Sequence, residues 1–358
     1  MAVSVCSGRA YGDLVERDLP DAGGTGTDAP AIVTRALTKR FGDSVALDGL
    51  DLEVRAGEVF GFLGPNGAGK TTTIRLLLDL ARPTSGSATV LGLDPRRDGP
   101  VLRRRIGYLP GDVNLPARLT GRAMLADHAA VRGLDLHRPV DELAERLGAD
   151  LDRPMGDLSL GNRRKVAMIA AFAHRPDLLV LDEPTGGLDP LVQQTFRSLA
   201  REAAAEGRTV FLSSHVLDEV QHVADRVAVL RAGRLVAEDR IDVLLSRLNR
   251  TCVVRFDPRP GMVPSAEVFH RVPGVTEVHH LHDGEIEISL EGPAGPLLEA
   301  LAPWSPLDLA THEPDLEDLF LGYYGAEHAP APTAPARPTD PAVAPAAPAV
   351  PDPASVTR

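Results

Sequence analysis

Two short stretches of this chain carry residue types whose spacing suits phosphate chemistry. The first is Gly64-Pro65-Asn66-Gly67-Ala68-Gly69-Lys70-Thr71-Thr72. Its glycines let the backbone close around an anion and turn N–H groups inward. Lys70 can reach the β- and γ-phosphates of a nucleotide, and the Thr71 hydroxyl can ligate Mg²⁺. The second stretch is Asp182-Glu183, which ends the apolar run Leu178-Leu179-Val180-Leu181. Asp182 can hold Mg²⁺ through water, opposite Thr71. Glu183 can orient or deprotonate a water attacking the γ-phosphorus. A glycine turn followed by a chance Lys-Thr, or a strand end with two solvated acids, is unremarkable alone. Together they point to a bound nucleoside triphosphate and to its hydrolysis.

Both stretches need particular elements around them. Glu58 to Leu63 reads as a strand and Thr72 to Leu78 as a helix, so the glycine loop has the strand–loop–helix setting that phosphate binding requires. The helix turns its positive dipole end toward the phosphates. The run 178–181 predicts a buried strand that delivers Asp182 to its carboxyl end, where ligands of open α/β sheets collect. Thr209 to Leu212 and Val227 to Leu230 are further apolar runs separated by helical patterns. That alternation predicts a parallel sheet covered on both faces, hence an α/β fold. Ahead of the loop, alternation through Ala31 to Val54 predicts an antiparallel sheet, with another strand at Gly86 to Leu91. Residues 115 to about 157 read as helical, most clearly Arg122 to Arg132 and Val140 to Leu147. Leu158-Ser159-Leu160-Gly161-Asn162 then precedes a helical run through Val166 to His174. Ser159 is placed as an N-cap, and the N–H groups after it form a second anion site.

The rest of the chain bounds the answer. At 358 residues, two or three domains are expected. Residues 1–29 read as a solvated tail, 30–248 as the nucleotide-binding domain and 250–325 as a small α+β domain. From 329 to 358 a Pro/Ala-rich stretch is expected to be extended and disordered. The small domain shows the order β-α-β-β-α-β, with a hairpin about Asp283-Gly284 and a closing helix near Leu316 to Tyr323. His280 and His282 are expected on one strand face. With His279 they read as exposed polar positions rather than a metal site. Cys252 reads as a small apolar group, and Arg103 to Arg105 as a solvated helix face. A formal charge of −12 argues against broad nucleic-acid binding. No apolar run approaches the roughly 20 residues that span a bilayer. Two distant cysteines and no signal-like start suit the cytoplasm.

The set of motifs resembles the nucleotide-binding subunit of an ATP-binding cassette (ABC) transporter, over about residues 31 to 245. The resemblance implies a P-loop cassette with a parallel-sheet core, an antiparallel β subdomain and a helical subdomain at about 115–175. It implies that Ser159 and Gly161, in a signature spanning Ser159 to Asn162, contact the γ-phosphate held by an opposite subunit. Asp189 would be the acid of the loop that couples the two sites, and His215 the switch residue sensing the γ-phosphate. Phe41 would stack on adenine, with Val45 close by. Two positions depart from the family pattern: Leu160 replaces a glycine of the signature, and Gly111 stands where a Gln usually touches Mg²⁺ and the attacking water. Asp112 can act there through water. The resemblance further implies a head-to-tail homodimer with ATP and Mg²⁺ at both shared surfaces, and a separate transmembrane permease at the inner face of the membrane. The small C-terminal domain resembles that of subunits paired with exporters of drugs, antibiotics or polysaccharides. An importer subunit and a regulatory cassette with little turnover are the alternatives. The long heptad arms of chromosome-maintenance cassettes are absent, and so is the second cassette of the translation type.

Overall fold

The period-2 burial of the first strands builds the antiparallel layer. In β2 (Ser44–Val54), Leu50, Leu52 and Val54 are buried while Asp51 and Glu53 face water. It pairs with β1 (Ile32–Phe41), which also pairs with β4 (Ser85–Val90), giving the order β2-β1-β4. The structure, a computed structural model, describes residues 29–246, 250–259, 262–282 and 284–312.

Between these strands comes β3 (Val59–Leu63), buried along its whole length, and then α1 (Lys70–Leu77). Next come α2 (Gly99–Arg105) and β5 (Ile106–Leu109), followed by α3 (Gly121–Arg132), α4 (His137–Leu147) and α5 (Leu160–Phe172). The chain returns through β6 (Leu178–Asp182), α6 (Pro190–Ala205), β7 (Thr209–Ser214), α7 (Leu217–Gln221), β8 (Arg226–Arg231), β9 (Arg234–Arg240) and α8 (Ile241–Ser246). The six-stranded sheet has the order β5-β6-β7-β3-β8-β9. It is parallel except for β9, an antiparallel edge strand.

Alternation along these buried strands feeds two cores. Val59, Leu63, Leu179 and Leu181 face one core with residues of α3 to α6. Phe60, Phe62, Leu178 and Val180 face the other, against α1 and the antiparallel layer. Phe211 stacks on Phe60 at 6.0 Å and tilts against Phe62 at 5.3 Å. Burying each such ring stabilises by about 1.5–3 kcal/mol. The consequence for chemistry lies in the strand order. The carboxyl ends of β5, β6, β7 and β3 stand side by side, with Leu109 opposite Leu181, Asp182 opposite Ser213 and Leu63 opposite Ser214. Four loops that are remote in sequence therefore meet at one edge of the sheet.

Helical structure between 115 and 157 is confined to α3, α4 and a 3₁₀ turn at Met155–Asp157. The stretch 115–120 is loop, because the Thr120 hydroxyl accepts from Ala123 N and so caps α3 where the helix starts.

The C-terminal unit comprises β10 (Arg250–Arg255), α9 (Ala266–Phe269), β11 (Val275–His282), β12 (Glu285–Leu290), α10 (Gly295–Leu301) and β13 (Asp308–His312). Its antiparallel sheet runs β11-β12-β10-β13, the split βαβ arrangement. It closes on its own core of Cys252, Val254, Phe269, Ile286 and Leu297 with their buried neighbours. The register slips after His280, which lies opposite Ile286, so that His282 comes opposite Glu285. The expected helix near 316–323 and both tails lie outside the described residues.

Candidate active site

The phosphate loop connects β3 to α1, and close packing dictates two of its glycines. A Cβ at Gly64 would stand 2.5 Å from the Leu230 carbonyl, and one at Gly69 would stand 2.6 Å from that of Ala46. Gly67 faces open space but holds φ at +82°, a conformation that side chains resist. Pro65, Asn66 and Gly67 are exposed along the rim, whereas Ala68 is buried beneath. Helix α1 opens at Lys70, so the N–H groups of Lys70, Thr71 and Thr72 lack intrahelical partners and face the loop.

Lys70 is buried (5 % exposed), and its ammonium donates to the carbonyls of Gly64 (2.5 Å) and Pro65 (3.3 Å). It also pairs with Glu183 Oε1 at 3.3 Å. The other carboxylate oxygen of Glu183 lies 2.7 Å from His215 Nδ1. Glu183 is thus held between an ammonium from β3's loop and an imidazole from the end of β7. Its backbone has φ +49°, a strained conformation that costs about 1–3 kcal/mol. Two bonds help to hold it: Glu183 N donates to Ser213 O at 3.1 Å and to Ser213 Oγ at 3.3 Å.

Asp182 is almost fully buried, and burial of a carboxylate demands partners. It accepts from Thr71 Oγ1 at 2.9 Å and from Ser213 Oγ at 2.5 Å. Thr71 and Asp182 line a cavity of about 290 Å³ with Arg75, Tyr108, Pro110, Gly111, Asp112 and Glu183. A Cβ on Gly111 would approach Asp182 Oδ2 to 3.4 Å, so this glycine leaves one side of the carboxylate open. Burial pushes the Tyr108 hydroxyl above its ordinary pKa, and the charge of Asp182 adds to that push. Beneath the site, the Thr185 hydroxyl donates to Glu219, whose carboxyl is raised chiefly by burial.

Lys70, Thr71, Asp182, Glu183 and His215, expected together from the sequence, do meet, and Gly111 and Asp112 line the same cavity. Ser159, Leu160, Gly161 and Asn162 do not join them. The Ser159 hydroxyl accepts from Asn162 N at 3.2 Å and caps α5, leaving Ser159 and Leu160 exposed. Asn162 is bonded in both directions to the backbone of Asp150. Asp189 caps α6 through Val192 N at 3.0 Å. Phe41 is 55 % exposed at the tip of the β1–β2 hairpin, near the likewise exposed Val45, with Lys39 Nζ 4.7 Å from its ring. An aromatic left in water, with a cation over it, is not a core residue. Sequence reasoning missed Ser213, Arg75 and Tyr108, which no short motif marks.

This geometry suits in-line displacement at a terminal phosphate. The ABC transporter family model matches residues 47–186. The chain is 33% identical over 308 residues to the Nod factor export ATP-binding protein I of Rhizobium meliloti, covering 83% of this chain and 89% of that protein. It is 38% identical over 219 residues to the bacitracin transport ATP-binding protein BcrA of Bacillus licheniformis, covering 60% and 72%. The solved ATP-binding subunit of an ABC transporter superposes with a TM-score of 0.57 at 30% identity, over 61% of this chain and 92% of that one. The chain belongs to the ABC transporter family, and its fold is the P-loop cassette. It is an ATPase. Among the described residues, no helix is long and apolar enough to cross a membrane.

Proposed function

We propose that this chain hydrolyses ATP to power export through a separate membrane permease, working as a pair of copies at the inner face of the membrane. The observation that carries the reading is the placement of Glu183, held by Lys70 and His215 one residue beyond the Asp182–Thr71 pair. Glu183 is the base that orients and deprotonates the attacking water. His215 fixes the carboxylate and senses the γ-phosphate. Lys70 exchanges its loop carbonyls for phosphate oxygens when nucleotide enters, and the N–H groups of Lys70 to Thr72 cradle the β-phosphate.

The oxygens of Thr71, Asp182, Asp112 and Glu183 around one cavity fit a hard cation such as Mg²⁺, held by Thr71 and by Asp182 through water. Bound there, Mg²⁺ would neutralise charge on the β- and γ-phosphates. Phe41 and Val45 offer an apolar platform for adenine. Ser159 is exposed, and with Gly161 it serves the nucleotide of the other copy. Closure then tracks the γ-phosphate, which ATP has and ADP lacks. Export is favoured because the relatives named above carry Nod factor export and bacitracin transport in their own names.

The test is steady-state ATPase of the full chain with and without its permease in vesicles. Turnover above background, raised by the permease, is expected. Background turnover in both arms would reject the motor in favour of a nucleotide sensor.

A further inference from the structure

Helix α5 carries a buried cation that no motif accounts for. Arg164 is 7 % exposed, and its guanidinium spans two loops of the active site. Nη2 donates to the carbonyl of Gly111, in the loop after β5, and Nη1 donates to the carbonyl of Gly186, in the turn that begins at Glu183. A Cβ on Gly186 would stand 2.5 Å from Nη1, so that glycine leaves room for the guanidinium. The charges of Glu183, Asp112 and Asp182 all act on Arg164, yet its hydrogen bonds go to neutral carbonyls. Burying an arginine without a directly bonded carboxylate is costly, and the cost is met only while both loops hold their places.

We propose that Arg164 is a positioning residue for ATP hydrolysis, locking the Gly111 loop and the Glu183–Gly186 turn to the helix that presents Ser159. The planar fork offers a separate, rigidly placed nitrogen to each of two loops, a span that the single nitrogen of a lysine does not supply. Gly111 brings no side chain of its own to the cavity, so its loop is fixed from behind by this backbone bond. The turn carrying Glu183 is fixed by the same group. Because Ser159 begins the same helix, the base of one site is tied rigidly to the surface offered to the other. The inference rests on Glu183 serving hydrolysis.

The experiment is steady-state ATPase of the full-length Arg164→Gln, Arg164→Lys and Gly186→Ala chains over a range of ATP concentration, beside the unmodified chain. Arg164→Gln is expected to lower kcat by about a hundredfold, the scale of a misplaced catalytic group, with KM for ATP nearly unchanged. Arg164→Lys keeps the charge while kcat still falls, since one loop is released. A merely structural role would lower the melting temperature and leave kcat of the folded protein where it was. Turnover of Arg164→Gln within about twofold of the unmodified chain, or a loss that appears in KM with kcat unchanged, overturns the proposal. If Arg164→Gln does not fold, Gly186→Ala decides, because its methyl displaces the guanidinium without removing it. Loss of kcat at constant KM supports the lock, and near-normal kcat refutes it. Background turnover in the unmodified chain would instead count against the motor reading itself.

Discussion

Glu183 combines a strained backbone with two opposed partners, Lys70 and His215. Such strain persists only where the surroundings over-determine it, which is usual at catalytic positions. Gly111, which lines the same cavity, is one of the two positions expected from the sequence to depart from the family pattern. A side chain there would point at Asp182 Oδ2 across ordinary contact distance, so the space accepts one. Gly111→Gln is therefore expected to raise steady-state ATPase about tenfold, a barrier change of about 1.4 kcal/mol. Unchanged turnover would mean that Asp112 already orients the water. At this scale the sequence was informative wherever residues sit a few positions apart, as in Gly64 to Thr72 and Asp182-Glu183. Spacing along the chain carried those roles. Arg164 and Ser213 were invisible because their partners are remote: Arg164 bonds across 53 and 22 residues, and Ser213 bonds Asp182 across 31. Gly64 and Gly69 were read as anion-wrapping glycines. Their closest constraint is the backbone of β8 and β2 pressed against them.

Between the elements, α3 and the end of α5 trap a pair of histidines over β5. His128 and His174 meet edge to face at 5.7 Å in a cavity with Arg103, Arg132, Tyr108 and Ile106. Burial, then the charges of Arg132 and His174, push His128 down to about 4 from its ordinary 6.5. His174 is lowered for the same first reason. The unfolded chain takes up these protons at a higher pH than the folded one. Stability is therefore full above pH 6.5 and drains as pH falls toward 4. Allowing for partial exposure, the His128 contribution is about 1–2 kcal/mol. His128→Phe is expected to flatten the denaturant midpoint between pH 6.5 and 4 relative to the unmodified chain. Parallel curves for the two proteins would remove His128 from that role. Strand and helix periods made most elements legible, including the β-α-β-β-α-β order of the C-terminal unit. The four-residue β5 was too short to announce itself. Its Gly107 is pressed so closely under α5 that a Cβ would stand 2.1 Å from the Ala171 carbonyl. The edge strand β9 has no fully buried residue and carries mostly charged side chains, so it lacks the apolar run that marked its neighbours.

At the scale of the molecule, the catalytic groups gather on one edge of the sheet while Ser159, Leu160 and Asp189 lie exposed elsewhere on the chain. In the proposed function, a single copy offers one half-site to its own nucleotide and a second half-site to another's. The account stands on that division. Its most direct test is the mass in solution of the Glu183→Gln chain, measured by sedimentation with and without ATP and Mg²⁺. Removing the base while keeping the hydrogen-bonding shape should leave nucleotide bound and unhydrolysed. The account predicts one copy without nucleotide and two copies with it. A chain that binds ATP yet still sediments as a single copy, with its permease present or absent, would contradict it.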